Sequence, residues 1–363
     1  MSRPKILSVF GTRPEAIKMA VLVKQLASSR QFEAKVCVTG QHRQMLDGVL
    51  ELFEIEPDFD LNLMQAEQDL SDLTAHILQG LTPILKAFQP DFVLVHGDTT
   101  TALATSLAAF YQKIPLAHIE AGLRTSNLYS PFPEEANRRL ISQLAHLHLA
   151  PTDQARTHLL RAGISPEQVF VTGNTVIDAL QTILQKKPQN PPLAGSKKLL
   201  VTVHRRENLG QGIDNLCQAL RELVQTQPDL EIIFPLHLNP KVQAPVQQML
   251  GGLSQVQLLP PQDYATFLAL MQEAWAILTD SGGIQEEAAA LGKPVLLMRE
   301  QTERTENPNV VLVGTDSCKI VSQINRLLGD KAAYEELAQV QDLYGDGRAS
   351  ERIVGVLEGY FQY

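Results

Sequence analysis

Three carboxylates stand where the chain changes from strand-like to helix-like sequence: Asp98 after DFVLVHG, Glu120 after PLAHI, and Glu134 in SPFPEEANRR. Removing a proton from carbon needs groups of this kind, one as base, another as acid, and a third to hold their pKa values apart. Glu134 and its neighbour Glu135 also suit the first turn of a helix, where acids complement the dipole. Glu120 has less of an alternative, because a charge at the end of a buried strand is costly unless it is partnered. Cations gather at similar places. In Gly11-Thr-Arg-Pro-Glu15 the glycine allows a tight turn and Pro14 suits a first helical position. Arg13 and, one turn on, Lys18 then stand near a helix N-terminus, which attracts anions. Plain capping chemistry with two solvated cations is the alternative.

His204-Arg-Arg-Glu207 directly follows the strand-like KLLVTV, and His237 follows EIIFPL in the equivalent place one strand on. Arginine offers planar, multi-donor contact to phosphate; a surface salt-bridge cluster is the alternative. Asp280-Ser-Gly-Gly283 ends AWAILTD and opens a helix. Small residues there let a diphosphate approach backbone N–H groups. Glu286 and Glu287 in the first turn are placed to accept hydrogen bonds from ribose hydroxyls, or simply to complement the dipole. His76, His146, His148 and His158 read as helix-face or core residues.

Apart from Glu134, which opens an amphipathic stretch, each of these motifs sits just after a β-branched run. Such runs cover 5–11, 34–40, 91–98, 115–122, 146–151 and 168–173 in the first half, and 198–204, 230–237, 256–260, 274–280, 294–298 and 310–314 in the second. Amphipathic stretches such as 15–28, 70–88, 100–111 and 134–145 separate them. The alternation predicts parallel sheets covered by helices on both faces. Strands in two sets predict two doubly wound domains, 1–172 and 173–349. The Pro-rich KKPQNPPLAGSK (186–197) reads as a loop. In open α/β sheets ligands bind outside the carboxyl ends of strands, which is where the motifs fall.

Composition narrows the function classes. The 363 residues fit two domains at roughly 150 residues each. Lys and Arg number 31 against 40 Asp and Glu, a net charge of −9 that argues against a nucleic-acid partner. Cys37, Cys217 and Cys318 are dispersed, with no C-x-x-C pair, which excludes a disulfide scaffold or zinc finger and suits a reducing cytoplasm. The apolar stretch 6–10 is too short for a signal-peptide core, and no run approaches the roughly 18 apolar residues of a spanning helix, so a cytoplasmic protein without a membrane partner is expected. G-x-G-x-x-G, P-loop, H-E-x-x-H and G-x-S-x-G motifs are absent. His118-Ile-Glu120 matches the H-x-E of zinc deaminases but lacks their P-C-x-x-C. Asp58-Phe-Asp60 resembles the D-x-D of metal-using glycosyltransferases but lies in a polar connection with no strand expected to carry it.

Taken together, GTRPEAIK (11–18), GQHRQML (40–46), VHGDTTTALA (95–104), HIEAGLRT (118–125), SPFPEEANR (130–138), GNTVIDAL (173–180), TVHRREN (202–208), PLHLNP (235–240) and TDSGGIQEEA (279–288) resemble the non-hydrolysing UDP-N-acetylglucosamine 2-epimerases over nearly the whole chain. The resemblance implies an α/β, glycosyltransferase-B-type fold: two Rossmann-like doubly wound domains facing a cleft that holds the nucleotide sugar. It implies a homodimer and a C-terminal helix, 350–363, packing back on the first domain. The implied reaction interconverts UDP-GlcNAc and UDP-ManNAc with no cofactor or metal, supplying ManNAc-type sugars for bacterial surface polysaccharide. The implied route is anti elimination of UDP through 2-acetamidoglucal, then re-addition. Carried over by motif, Asp98, Glu120 and Glu134 form the acid/base set, with the division of labour between them open. His204 joins the catalytic set and, with Arg13 and Lys18, faces the sugar diphosphate. Backbone at Ser281, Gly282 and Gly283 holds phosphate, and Glu287 holds the ribose. Gln41, Gln44, Arg206 and His237 match positions where some members bind a second UDP-GlcNAc as activator.

Two departures from the family pattern bear on ligand contacts. Activator-dependent relatives carry an arginine shortly after Leu-Asn-Leu-Met, where this chain reads Met64-Gln-Ala-Glu67. TERTENPNVVLVG (302–314) lacks the usual proline after Glu-Arg and shortens the loop. The competing readings are a glycosyltransferase or hydrolysing epimerase on the same scaffold, and a catalytically dead nucleotide-sugar sensor. The carboxylate trio beside HRREN stands against the first, and the presence of every expected ionisable residue against the second.

Overall fold

A computed structural model describes residues 3–40, 43–64, 68–186, 197–205 and 208–362, apart from the side chains of residues 43 and 44. The Pro-rich stretch therefore falls almost entirely outside the described residues. The chain forms two compact units, residues 1–182 with 344–363, and residues 183–343.

The first unit alternates strand and helix: β1 (Lys5–Phe10), α1 (Arg13–Ser28), β2 (Glu33–Val38), α2 (Arg43–Phe53), β3 (Phe59–Asp60), α3 (Leu70–Phe88), β4 (Phe92–His96), α4 (Thr100–Tyr111), β5 (Leu116–Ile119), α5 (Glu134–Leu144), β6 (Leu147–Ala150), α6 (Asp153–Arg161), β7 (Val169–Val171) and α7 (Thr175–Lys186), which runs across the division. The strands make one parallel sheet in the order β3-β2-β1-β4-β5-β6-β7. Every residue of β4 and β5 is buried, as helices on both faces require.

The second unit holds β8 (Lys197–Thr202), α8 (Gln211–Thr226), β9 (Leu230–Pro235), α9 (Pro240–Leu250), β10 (Val256–Leu259), α10 (Tyr264–Glu273), β11 (Ala276–Thr279), α11 (Ile284–Ala290), β12 (Val295–Leu297), β13 (Val310–Leu312), α12 (Ser317–Gly329) and α13 (Lys331–Leu337). Its parallel sheet runs β10-β9-β8-β11-β12-β13. Among the described residues no helix is long and apolar enough to cross a membrane.

Strand order reverses between β1 and β4 in one sheet and between β8 and β11 in the other. Crevices for ligands open at such reversals, at the carboxyl ends of the strands. The turn after β1 carries GTRPE and the turn after β4 carries Asp98. The turn after β8 carries His204 and the turn after β11 carries DSGG.

All the strands expected from periodicity are present, and β3 is an addition. Its two residues pair as Cys37↔Phe59 and Val38↔Asp60, too short a run to show a period. The polar connection around Asp58-Phe-Asp60 thus does carry a strand, correcting the expectation. Asp58 Oδ2 accepts the Val36 N–H at 2.8 Å and Asp60 Oδ1 the Asn62 N–H at 3.0 Å, so both carboxylates serve edge backbone.

The last helix, α14 (Ala349–Phe361), belongs to the first unit and packs on α1. Tyr360 meets Phe92 edge-on at 5.0 Å between ring centroids. Residue Arg348 at its N-cap makes no side-chain cap. The orphan donors go instead to Asp178 of α7, whose carboxylate accepts the N–H groups of Ala349 at 3.1 Å and Ser350 at 2.7 Å. Burial raises the Asp178 pKa, and these N–H groups oppose that rise. Replacing Asp178 by Ala strands two buried donors and is expected to cost about 2 kcal/mol or more, with Asp178→Asn costing less because one acceptor remains. Urea unfolding of both variants checks this; equal midpoints for Asp178→Ala and wild type would show that α14 docks without the cap.

Candidate active site

Glu120 follows β5 directly and holds a left-handed backbone, φ 62°. Residues with a Cβ rarely take that conformation, which costs of order 1–3 kcal/mol and persists only where the surroundings impose it. Here they grip the carboxylate. Oε2 accepts from Lys18 Nζ in a short, buried contact reaching over from α1. The same oxygen accepts from Asn174 Nδ2 at 2.6 Å, and His96 Nε2 at the end of β4 lies 3.9 Å away. Lys18 is buried, so the alternative of two solvated cations fails for it; Arg13 opens α1 half-buried.

The capping half of that alternative is correct and does more than cap. Thr12 and Glu15 form a capping box. Glu15 accepts the N–H groups of Gly11 at 3.0 Å and Thr12 at 2.8 Å, and the Thr99 hydroxyl at 2.6 Å. Full burial raises its pKa, against the pull of those donors. The turns after β1 and β4 are thereby joined at the sheet's order reversal.

Asp98, next before Thr99, is held by Arg138 of α5, with Nε at 2.8 Å and Nη2 at 2.6 Å from Oδ2. Asn137 Nδ2 donates to the Asp98 carbonyl at 2.8 Å. Arg138 also meets Glu135 at 3.2 Å, and Glu135 accepts the Thr125 N–H at 3.0 Å and Arg139 Nε at 2.8 Å. Of the two acids opening α5, Glu135 is therefore the one that fastens the helix. Glu134, half-buried, stands on the same first turn.

In the second unit the hub is Asp280, fully buried after β11. It accepts from His204 Nδ1 at 2.9 Å, the Arg205 N–H at 2.9 Å and Asn208 Nδ2 at 3.0 Å, while its carbonyl takes Arg205 Nε at 2.9 Å. Burial pushes its pKa up, but His204 and the other donors outweigh this and hold it below the ordinary value. With Nδ1 so occupied and the side chain 44% exposed, His204 presents Nε2 outward.

In the DSGG turn the Ser281 N–H is already given to Thr279 Oγ1 at 3.0 Å. A Cβ on Gly282 would meet Glu303 Oε1 at 2.9 Å and Arg304 Nη1 at 3.1 Å; one on Gly283 would meet nothing within 4 Å. The acids of α11 divide: Glu286 Oε1 accepts Arg304 Nε at 2.7 Å, and Glu287 Oε1 accepts the Tyr264 hydroxyl at 2.7 Å. Arg304 and Arg299 share Glu303, the latter at 3.0 Å. The 302–314 segment is tied by Asn307 Nδ2 to the Gln285 carbonyl at 2.8 Å and by Asn309 Nδ2 to the carbonyls of Leu337 and Gln339 at 2.7 and 2.8 Å.

The sequence reading missed Asn174, Arg138, Asp280 and Tyr264. The first three lie inside strings that were singled out, GNTVIDAL, SPFPEEANR and TDSGG, but nothing local marks which residue they bond. Of the activator-site candidates, Gln41 and Arg206 lie outside the described residues, as does Glu67, and Gln44 falls within α2. His237 lies with its ring 6.4 Å from that of His204. Among the described residues no group of three or more His, Cys, Asp or Glu is gathered as a metal-ligand set.

A family model described as UDP-N-acetylglucosamine 2-epimerase matches residues 24–358. A curated UDP-N-acetylglucosamine 2-epimerase of Salmonella typhimurium is 55% identical over 371 residues, covering 98% of this chain and 99% of that protein. The crystal structure of UDP-GlcNAc 2-epimerase from Neisseria meningitidis bound to UDP-GlcNAc is similar at a TM-score of 0.94 and 49% identity, covering 98% of this chain and 100% of that one. That of the Methanocaldococcus jannaschii enzyme in complex with UDP-GlcNAc and UDP reaches 0.85 at 31% identity, covering 98% and 99%.

Two stability predictions come from these surroundings. Gly282→Ala is expected to destabilise the second unit by about 1–3 kcal/mol, because a buried ion pair must shift, whereas Gly283→Ala stays within about 0.5 kcal/mol; denaturant unfolding of the two side by side checks the contrast. The buried His118, whose Nε2 donates to the Gly97 carbonyl at 2.6 Å, has its pKa lowered to about 3, and His148 beside it on β6 to about 4, burial being the main cause in both. Between the ordinary histidine value and these low ones the unfolded chain binds protons that the folded one refuses, so stability falls as pH falls below about 6.5, by up to about 1.4 kcal/mol per pH unit per histidine. Unfolding at pH 7 and pH 5 should show this, with a shallower slope in His148→Gln; a flat profile in wild type would contradict it.

Proposed function

The chain belongs to the UDP-N-acetylglucosamine 2-epimerase family, and we propose that it interconverts UDP-GlcNAc and UDP-ManNAc without hydrolysis. The observation that carries the reading is Glu120: a buried carboxylate on a left-handed backbone, gripped by Lys18 and Asn174, one strand from Asp98. In the proposed reaction a carboxylate takes the C2 proton while the C1–O bond to UDP breaks, its electron pair leaving with the diphosphate. The product of that step is 2-acetamidoglucal. UDP then adds back at C1, and C2 receives a proton from the opposite face. Inversion requires proton chemistry on both faces, hence more than one carboxylate; Asp98, Glu120 and Glu134 are assigned to it.

The departing diphosphate needs fixed donors. Arg13 and Lys18 of the first unit and His204 of the second are assigned this task, with backbone N–H groups of the DSGG turn. Within that turn Gly282 and Gly283 suit the role better than Ser281, whose N–H is already committed. His204, held at Nδ1 by Asp280, is assigned to meet the diphosphate with its other ring nitrogen. Glu287, oriented by Tyr264 on one oxygen, is assigned to the ribose. The fuller proposal has the enzyme working in the cytoplasm as a homodimer and supplying ManNAc-type sugars for surface polysaccharide. Residues 1–172 with the C-terminal helix carry the acid/base groups, and 173–349 bind the nucleotide.

Incubation with UDP-GlcNAc in D2O tests the reading: deuterium should appear at C2 and UDP-ManNAc should form. A folded sample that binds UDP yet exchanges no proton would sink it, and accumulation of free sugar would favour a hydrolysing enzyme. Glu120→Gln is expected to slow exchange by roughly 10²–10⁴-fold while UDP binding persists.

A further inference from the structure

We propose that Asn174 is a positioning residue that fixes the orientation of the Glu120 carboxylate through a side chain locked at both ends. The inference rests on the epimerase reading, in which Glu120 does proton chemistry. Asn174 lies between β7 and α7 and is 2% exposed. Its Oδ1 accepts the Val176 N–H at 3.1 Å, its backbone N–H donates to the Tyr344 carbonyl at 2.7 Å, and its Nδ2 donates to Glu120 Oε2 at 2.6 Å. Because Oδ1 serves the start of α7, the amide has one sensible orientation: flipping it would lose that bond and set an acceptor against a carboxylate.

Lys18 binds the same oxygen, but an ammonium on a flexible stem supplies charge more than direction. Direction comes from the short amide on a fixed turn. That turn is itself braced: at Gly173, φ 85°, a Cβ would stand 3.2 Å from the Tyr344 carbonyl and 3.3 Å from Gly345 Cα. The returning chain thus lies directly against it. Groups facing Glu120 include Lys18 from α1, His96 from β4 and the neutral Asn174, and replacing the amide changes orientation without removing a formal charge.

Two variants separate positioning from capping. Asn174→Asp keeps an acceptor for the Val176 N–H, since Asp caps as well as Asn, but turns a carboxylate oxygen toward Glu120. Asn174→Ser keeps the cap and loses the reach. Both should melt within a few degrees of wild type. The Ser variant is expected to lower kcat for C2 exchange by roughly 10–100-fold, with KM for UDP-GlcNAc within about threefold. The Asp variant should fall further, and the acid limb of its pH–rate profile should move up by about one unit or more, because a neighbouring negative charge disfavours ionisation. Wild-type kcat and an unmoved pH profile in either folded variant would overturn the proposal, as would unfolding of both, which would mark Asn174 as structural. A wild-type enzyme that exchanges no proton counts against the epimerase reading; one that exchanges normally alongside equally active variants counts against Asn174 alone.

Discussion

A carboxylate taken out of water has to be compensated at close range, because its lost hydration is worth several kcal/mol and screening water is gone. Glu120 imposes that requirement on the first unit. Its compensation comes from Lys18, which must then also be buried, so α1 has to start at the right place and angle. Glu15 secures that start by closing the capping box and taking the Thr99 hydroxyl. Thr99 adjoins Asp98, and Asp98 is bound through Arg138 to α5. One buried charge thereby draws the ends of β1, β4 and β5 and two helix starts into a single constraint, located where the strand order reverses.

The second unit meets the same requirement around a buried anion of its own. Asp280 is that anion, and the His204 turn is wrapped around it by His204 Nδ1, the His204 and Arg205 N–H groups and Asn208 Nδ2. Buried arginines follow at Arg299 and Arg304, paired through Glu303 and Glu286. The Asp280 carboxylate lies inward and holds the exposed His204 at the surface. A chain of net charge −9 can therefore still present a local surface suited to an anion.

Element type and order were legible because parallel strands buried on both faces read as continuous apolar runs and their covering helices as amphipathic ones. β3 was not, since two residues have no period. The carboxylates were legible as candidates because charge at a strand end is conspicuous. Their partners were not: Asn174 is 54 residues from Glu120, Arg138 is 40 from Asp98, and Asp280 is 76 from His204. Such pairs exist only once the sheet is assembled. Lys18 shows the same limit, since its spacing from Arg13 marks a helix face but not whether that face is wet.

Two helices begin with adjacent acids, Glu134-Glu135 on α5 and Glu286-Glu287 on α11. Successive side chains on a helix point about 100° apart, so both members of a pair cannot address the same place. In each pair one member is spent on arginine: Glu135 on Arg138 and Arg139, Glu286 on Arg304. Arg138, steadied within α5 by Glu135, ties that helix to Asp98 after β4, and the Glu286 pairing ties α11 to the 302–309 segment, which Asn307 and Asn309 anchor in turn. The alternative reading of these acids as helix-start residues therefore describes Glu135 and Glu286 well. It describes Glu134 and Glu287 less well, because their helices are already secured by their neighbours. That division sets Glu134 and Glu287 apart from their neighbours, whose arginine partners secure the two helix starts.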